Sequence, residues 1–173
     1  RGSMKRTYRT ALTGLFFAVS VVLSLVEGAF PSLPVPGVKL GLSNIASMHA
    51  LFFLGAGPAL GIVCLKAAFA AFLHGPAAGF LSLCGGVLSM GVMILLSRIR
   101  RELPSVFLIS SCGGVFHNLG QLAGASLLYG GLALWGWLPV LIAAGVAAGA
   151  VTAALLKVLL PALKRITPEN GKD

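Results

Sequence analysis

Six apolar stretches, cut apart by glycine, proline and clusters of cations, constrain this chain more than any other feature. They run from about Thr10 to Phe30, Leu40 to Leu54, Pro58 to Leu73, Ala77 to Ser97, Pro104 to Tyr129 and Leu138 to Leu160. A helix needs about 20 apolar residues to cross the ~30 Å hydrocarbon layer of a bilayer. Most of the stretches reach that length, and the second and third are short, as in helices that lean on neighbours inside a bundle. With 57% of its 173 residues hydrophobic, 10% charged and a mean hydropathy of +0.97, the chain carries more apolar surface than a soluble domain of this size can bury. The expected fold class is all-α integral membrane, with one six-helix transmembrane domain over residues 4–165 and a polar C-terminal tail over 166–173. Arg1-Gly2-Ser3 reads as the remnant of an expression tag outside the fold. No small-residue cleavage site follows the first stretch, which is therefore read as a retained helix.

The cations set the expected orientation. With a cytoplasmic N-terminus, six spans place Lys5, Arg6, Arg9, Arg98, Arg100, Arg101, Lys157, Lys164, Arg165 and Lys172 at the inner side. Lys39 alone is left outside, and Lys66 falls within the membrane. Tyr129, Trp135 and Trp137 then gather at the outer interface, where amphipathic rings prefer to sit. The expected location is the cytoplasmic (inner) membrane, with both termini cytoplasmic. The net charge of +9 follows from this topology and points to anionic membrane lipid as a partner, with no nucleic-acid signal.

Polar residues inside such a chain are costly and are read as site candidates by default. Pro34-Val35-Pro36-Gly37-Val38-Lys39-Leu40-Gly41-Leu42-Ser43-Asn44 places two prolines, a lysine and an amide between two apolar runs. Irregular backbone at this depth is tolerated where protein or water satisfies it, so the segment reads as a loop folded over a polar cavity. Glu27 lies near the outer end of the first span, Asn44 at the outer start of the second and Lys66 near the middle of the third. In the fifth span Gly113, His117, Gly120, Gln121 and Gly124 share one helical face, with Asn118 beside it. Structural readings stand beside these. His117, Asn118 and Gln121 also suit interhelical hydrogen bonding worth ~1 kcal/mol per contact, Lys66 also suits an ion pair with Glu27, and Lys39 also suits an ordinary loop charge. His49 lies about 140° from Asn44 around its helix and is expected to pack against another helix; His74 is expected to be exposed at a helix end. Gly14 to Ala18, Gly57 to Gly61, Gly120 to Gly124 and Gly145 to Gly149 have the small-xxx-small spacing of close helix contacts.

Several chemistries are excluded. There is no Walker A loop, so the chain has no ATP-hydrolysing motor of its own. Asp173 is the only aspartate and the three glutamates lie far apart, so no paired carboxylates are available for acid/base work or a Mg²⁺-diphosphate site. Cys64, Cys84 and Cys112 have neither disulfide nor metal spacing and read as small buried apolar residues. No cofactor or metal is expected, and the chain is not expected to be an enzyme.

The run Pro34 to Ile45, the stretch Leu83-Cys84-Gly85-Gly86-Val87-Leu88-Ser89 and the run His117-Asn118-Leu119-Gly120-Gln121 together resemble the Gx transporter family, also labelled heptaprenyl diphosphate synthase component I. The resemblance covers nearly all of residues 7–165. That family is similar in size and helix count to the substrate-binding S components of energy-coupling factor (ECF) transporters, six-helix proteins that bind vitamins from outside beneath a loop joining helices one and two. The resemblance implies that Pro31 to Leu40 form the lid, and that Gly14 and Ala18, a variant of an Ala-x-x-x-Ala pattern, contact an ECF coupling subunit served by separate ATPases. Residues and label diverge on catalysis, since the aspartate-rich motifs of prenyl diphosphate synthases are absent.

The expected function is therefore capture, from the outer side, of a small anionic molecule of vitamin, flavin or phosphate-bearing type. Lys39 and Lys66 would supply charge, Asn44, His117, Asn118 and Gln121 hydrogen bonds, and Glu27 a balancing charge. The alternatives are a non-catalytic isoprenoid-binding subunit of heptaprenyl diphosphate synthase and a membrane assembly subunit.

Overall fold

The computed structural model describes residues 2–28, 43–99 and 105–166, and among these regular structure is entirely helical. Helix α1 spans Gly2–Gly28, α2 Asn44–Leu54, α3 Ala56–His74, α4 Pro76–Ile99, α5 Val106–Tyr129 and α6 Leu138–Ile166, with a 3₁₀ turn at Leu132–Trp137 before α6. The chain is a membrane protein: α1, α3, α4 and the stretch Leu134–Ala154 are each long and apolar enough to cross a bilayer. At 11 residues, α2 is only ~16 Å long, and every side chain from Asn44 to Ala50 is buried. Helix α5 has 24 residues, ~36 Å, and carries the polar run His117-Asn118 and Gln121.

Local sequence explains the boundaries. Gly55 and Gly75, both at φ 91, are single-residue joints between α2 and α3 and between α3 and α4, in a conformation that side chains disfavour. Pro76 opens α4, where its missing N–H is not needed. Ser105 caps α5 by accepting from the Leu108 amide at 3.2 Å, one residue beyond the proline expected to begin that span. Helix α1 reaches back to Gly2, well before Thr10, because Met4-Lys5-Arg6-Thr7-Tyr8-Arg9 contains no breaker and good helix formers. Arg9 donates to the Leu54 carbonyl at 2.8 Å, placing a cation on the negative C-terminal end of α2.

The helices stack in series, α3 on α4, α4 on α5 and α5 on α6, while α2 is enclosed by α1, α3, α4 and α5. The main core joins Leu12 and Phe16 of α1 to Met48, Ala50 and Leu54 of α2, with Ile62, Val63, Met90, Met93 and Ile109 beneath. Large apolar side chains such as Phe72 (86% exposed) and Leu127 (79% exposed) project outward, as they do where lipid is the solvent.

Close approach on the α4–α5–α6 side depends on missing side chains. A Cβ on Gly120 would lie 2.6 Å from the Cys84 carbonyl oxygen, and one on Gly145 would lie 2.7 Å from the backbone of Val115. The small-residue spacings at Gly120–Gly124 and Gly145–Gly149 thus mark real interfaces, whereas Gly14, Gly57 and Gly61 face open space. Gly145→Val should destabilise the detergent-solubilised protein by about 2 kcal/mol, as overpacking does, lowering its thermal midpoint, while Gly57→Ala should leave the midpoint unchanged.

Candidate functional site

A cavity of about 270 Å³ opens at one end of the bundle. It lies between the last turns of α1 and α5, the start of α2, and the α3–α4 turn. Helical periodicity brings the lining together. Ser24 and Glu27 are three apart on α1; Lys66, Ala70 and His74 are successive i+4 neighbours on α3; His117 and Gln121 are i, i+4 on α5, with Tyr129 two turns above. The joint at Gly75 then turns Ala78 and Ser82 of α4 to the opposite wall.

Lys66 is the cationic centre of this wall. Only 4% exposed, it sends its ammonium to the Ser43 hydroxyl and to Asn44 Oδ1, both at 3.0 Å. Those two residues are the N-cap and first residue of α2, so the bonds tie the middle of α3 to the α2 N-terminus. The Ser43 side chain makes no capping bond to the α2 backbone, and the positive end of the α2 dipole meets the cavity beside the ammonium. Glu27, 5% exposed, lines the same space. A buried cation, a buried carboxylate, two histidines, an amide and hydroxyl groups converge here, the kind of polar set that pockets for small ligands generally carry.

His117 and Gln121 reach the cavity because α4 yields to them. A Cβ on Gly85 would stand 2.8 Å from Gln121 Cγ and 2.9 Å from His117 Cε1, so glycine at this position makes room for both side chains. Of the face expected on α5, Gly120 and Gly124 pack against Cys84 and Leu81 of α4, and Gly113 against Met93.

The expected site residues divide cleanly. Glu27, Lys66, His117 and Gln121 line the cavity, and Asn44 joins it through Lys66. Asn118 does not: at 1% exposure its Nδ2 donates 2.8 Å to the Leu141 carbonyl of α6, because the 100° step from His117 turns it to the far side of α5. Its role is interhelical. Lys39 and the expected lid Pro31 to Leu40 lie outside the described residues. His49 packs between Phe16 and Phe53, with ring centroids 6.4 and 6.5 Å away, and its Nδ1 hydrogen-bonds the Ile45 carbonyl at 2.7 Å. Gly14 and Ala18 are exposed on the outer face of α1. Among the described residues no group of three or more metal-ligating side chains forms.

Sequence reasoning missed Ser24, Ser43, Ser82, His74 and Tyr129 as lining residues. His74 is exposed at the end of α3 as expected, yet it stands on the Lys66 face two turns further on, and that spacing was the available signal.

A family model described as heptaprenyl diphosphate synthase component I matches residues 16–159. No curated protein matches the chain, and no solved structure does.

The division between cavity and interface has a direct test. Asn118→Ala should cost about 1 kcal/mol of stability through its lost interhelical bond and leave ligand occupancy unchanged. Gly85→Ala should lower occupancy by displacing His117 and Gln121. Thermal unfolding and quantified bound ligand, measured together on each variant, separate the two effects.

Proposed function

The chain belongs to the heptaprenyl diphosphate synthase component I family, and within that family we propose a substrate-binding membrane protein that captures a small anionic molecule, of vitamin, flavin or phosphate-bearing type. The observation that carries the reading is the cavity around Lys66: a buried ammonium at a helix N-terminus, flanked by His117 and Gln121 and open at one end of the bundle. Ionisable groups are retained at membrane depth where they serve a ligand or pathway. In this reading the chain binds and orients its ligand and catalyses nothing; among the described residues the cavity lining holds Glu27 and no second carboxylate to share a metal ion with it.

In this reading all six helices cross the membrane, with α2 sheltered by its neighbours and both termini cytoplasmic. Support comes from the placement of charge: Arg9, Arg98 and Lys157 fall toward the end of the bundle opposite the cavity, as cytoplasmic cations do. The cavity then opens outward. Uptake, if the chain transports, draws energy from a separate ATPase pair through a coupling subunit of the ECF kind, for which the exposed Gly14 and Ala18 on α1 form the docking surface.

A second reading follows from the family's description as one component of a synthase. Here the chain is a non-catalytic membrane subunit that holds an isoprenoid diphosphate for a partner component. In this reading the cavity of 270 Å³ takes the head group, and the polyprenyl chain lies between helices in lipid.

Mass spectrometry of the small molecules that co-purify with the detergent-solubilised protein separates these readings. A vitamin or flavin favours the first, a prenyl diphosphate the second, and an empty protein that shows no thermal shift with any of these classes removes both. Lys66→Ala should weaken binding at least tenfold, about 1.4 kcal/mol, with folded protein retained; undiminished affinity would take Lys66 out of the site.

A further inference from the structure

His117 limits the ligand more narrowly than charge alone does. The side chain is 2% exposed and lines the cavity, yet its Nδ1 has no hydrogen-bond partner. The imidazole also makes a hydrogen bond to the backbone of Gly85, which must therefore run through Nε2. Gly85 sits inside α4, where its N–H belongs to the helical ladder. What it offers to a neighbour is its carbonyl, so Nε2 carries the proton. In a neutral imidazole the other nitrogen is then an acceptor, and Nδ1 holds a lone pair that nothing in the protein satisfies. A buried acceptor left in this way is costly. The same cavity carries the opposite demand at the α2 N-terminus, whose Ser43 makes no side-chain cap, with the Lys66 ammonium bonded to Ser43 and Asn44. Helix dipole and ammonium both favour negative charge there.

We infer that the α2 N-terminus and Lys66 form an anion seat, and that His117 Nδ1 receives a hydroxyl or N–H carried by the same ligand. The inference rests on the binding role proposed above and narrows its substrate class to compact anions with a hydrogen-bond donor on the same small framework. A plain anion fills the seat and leaves His117 unsatisfied. On binding, the anionic group takes the place of the Ser43 hydroxyl and Asn44 Oδ1 as acceptor for the ammonium.

Two matched probe pairs test this on the full detergent-solubilised chain by calorimetry: propionate against 2-hydroxypropionate, and ethyl phosphate against 2-hydroxyethyl phosphate. The expected result is at least tenfold tighter binding of the hydroxylated member in one pair, with the preference abolished in His117→Phe. Equal affinities within both pairs, or a preference that survives His117→Phe, would overturn the donor assignment while leaving the anion-binding role intact. The comparison within the unmodified protein needs no variant to fold. Asn44→Asp supplies a second arm by placing a carboxylate permanently in the seat, so the thermal midpoint should rise and binding of both pairs should be lost. Retained binding in Asn44→Asp would overturn the seat. Failure of the unmodified protein to bind any of the four probes at millimolar concentration, with no small molecule co-purifying, would bring down the binding role itself.

Discussion

The Lys66 ammonium, sunk in the bundle and bonded to the N-cap and first residue of α2, is the constraint around which the polar half of this protein is arranged. An ammonium at membrane depth has to find oxygen, and two oxygens at 3.0 Å come from the N-cap and first residue of a helix too short to cross the membrane by itself. The two deficits answer each other. Helix α2 gains a fixed position for its start from α3, and α3 keeps a charge in place because α2 begins where it does. The cavity is the space left where this junction meets the ends of α1, α4 and α5.

The remainder of the bundle follows a different rule. Away from the cavity, α4, α5 and α6 hold together by backbone proximity at Gly120, Gly145 and Gly149, the packing expected where lipid is as apolar as leucine and cannot drive helices together. Polar side chains on this side are spent on contact between helices. Ser89 donates to the Gly113 carbonyl at 2.7 Å and Asn118 to the Leu141 carbonyl at 2.8 Å. One molecule thus uses hydrogen-bonding groups for two ends, and the helical face on which a residue falls decides which.

That division explains what was legible in the sequence. Proline, glycine and charge marked the helices well, since Gly55, Gly75 and Pro76 act through local backbone geometry. The backward extension of α1 was not legible, because the spans were marked by apolar runs, and Lys5, Arg6 and Arg9 end the run although they favour helix. The 3₁₀ turn over Leu132–Trp137 was hidden because it carries no charge or proline, and its one glycine, Gly136, suits a loop as well as a turn. Within the site, Lys66, His117 and Gln121 stood out by their rarity in an apolar chain. Asn118 had two readings, ligand contact and interhelical bond, because it stands beside the polar face; a 100° step from His117 turns its Nδ2 to the Leu141 carbonyl of α6. Ser24, Ser82 and Tyr129 could not be singled out, since which face of α1 or α4 meets the cavity depends on how those helices pack.

The single-residue joints at Gly55 and Gly75 also govern the mechanics of the molecule. Helices α2, α3 and α4 are linked with almost no slack, and the Gly55 amide is held by the carbonyls of Ala50 and Leu51 at 3.1 and 3.2 Å. The three therefore behave as one folded ruler whose segments cannot slide independently. Helix α1, which carries Ser24 and Glu27, stands outside this ruler and meets it through the packing of Leu12 and Phe16 against α2. A change in the cavity's shape is therefore a movement between α1 and the three linked helices taken together.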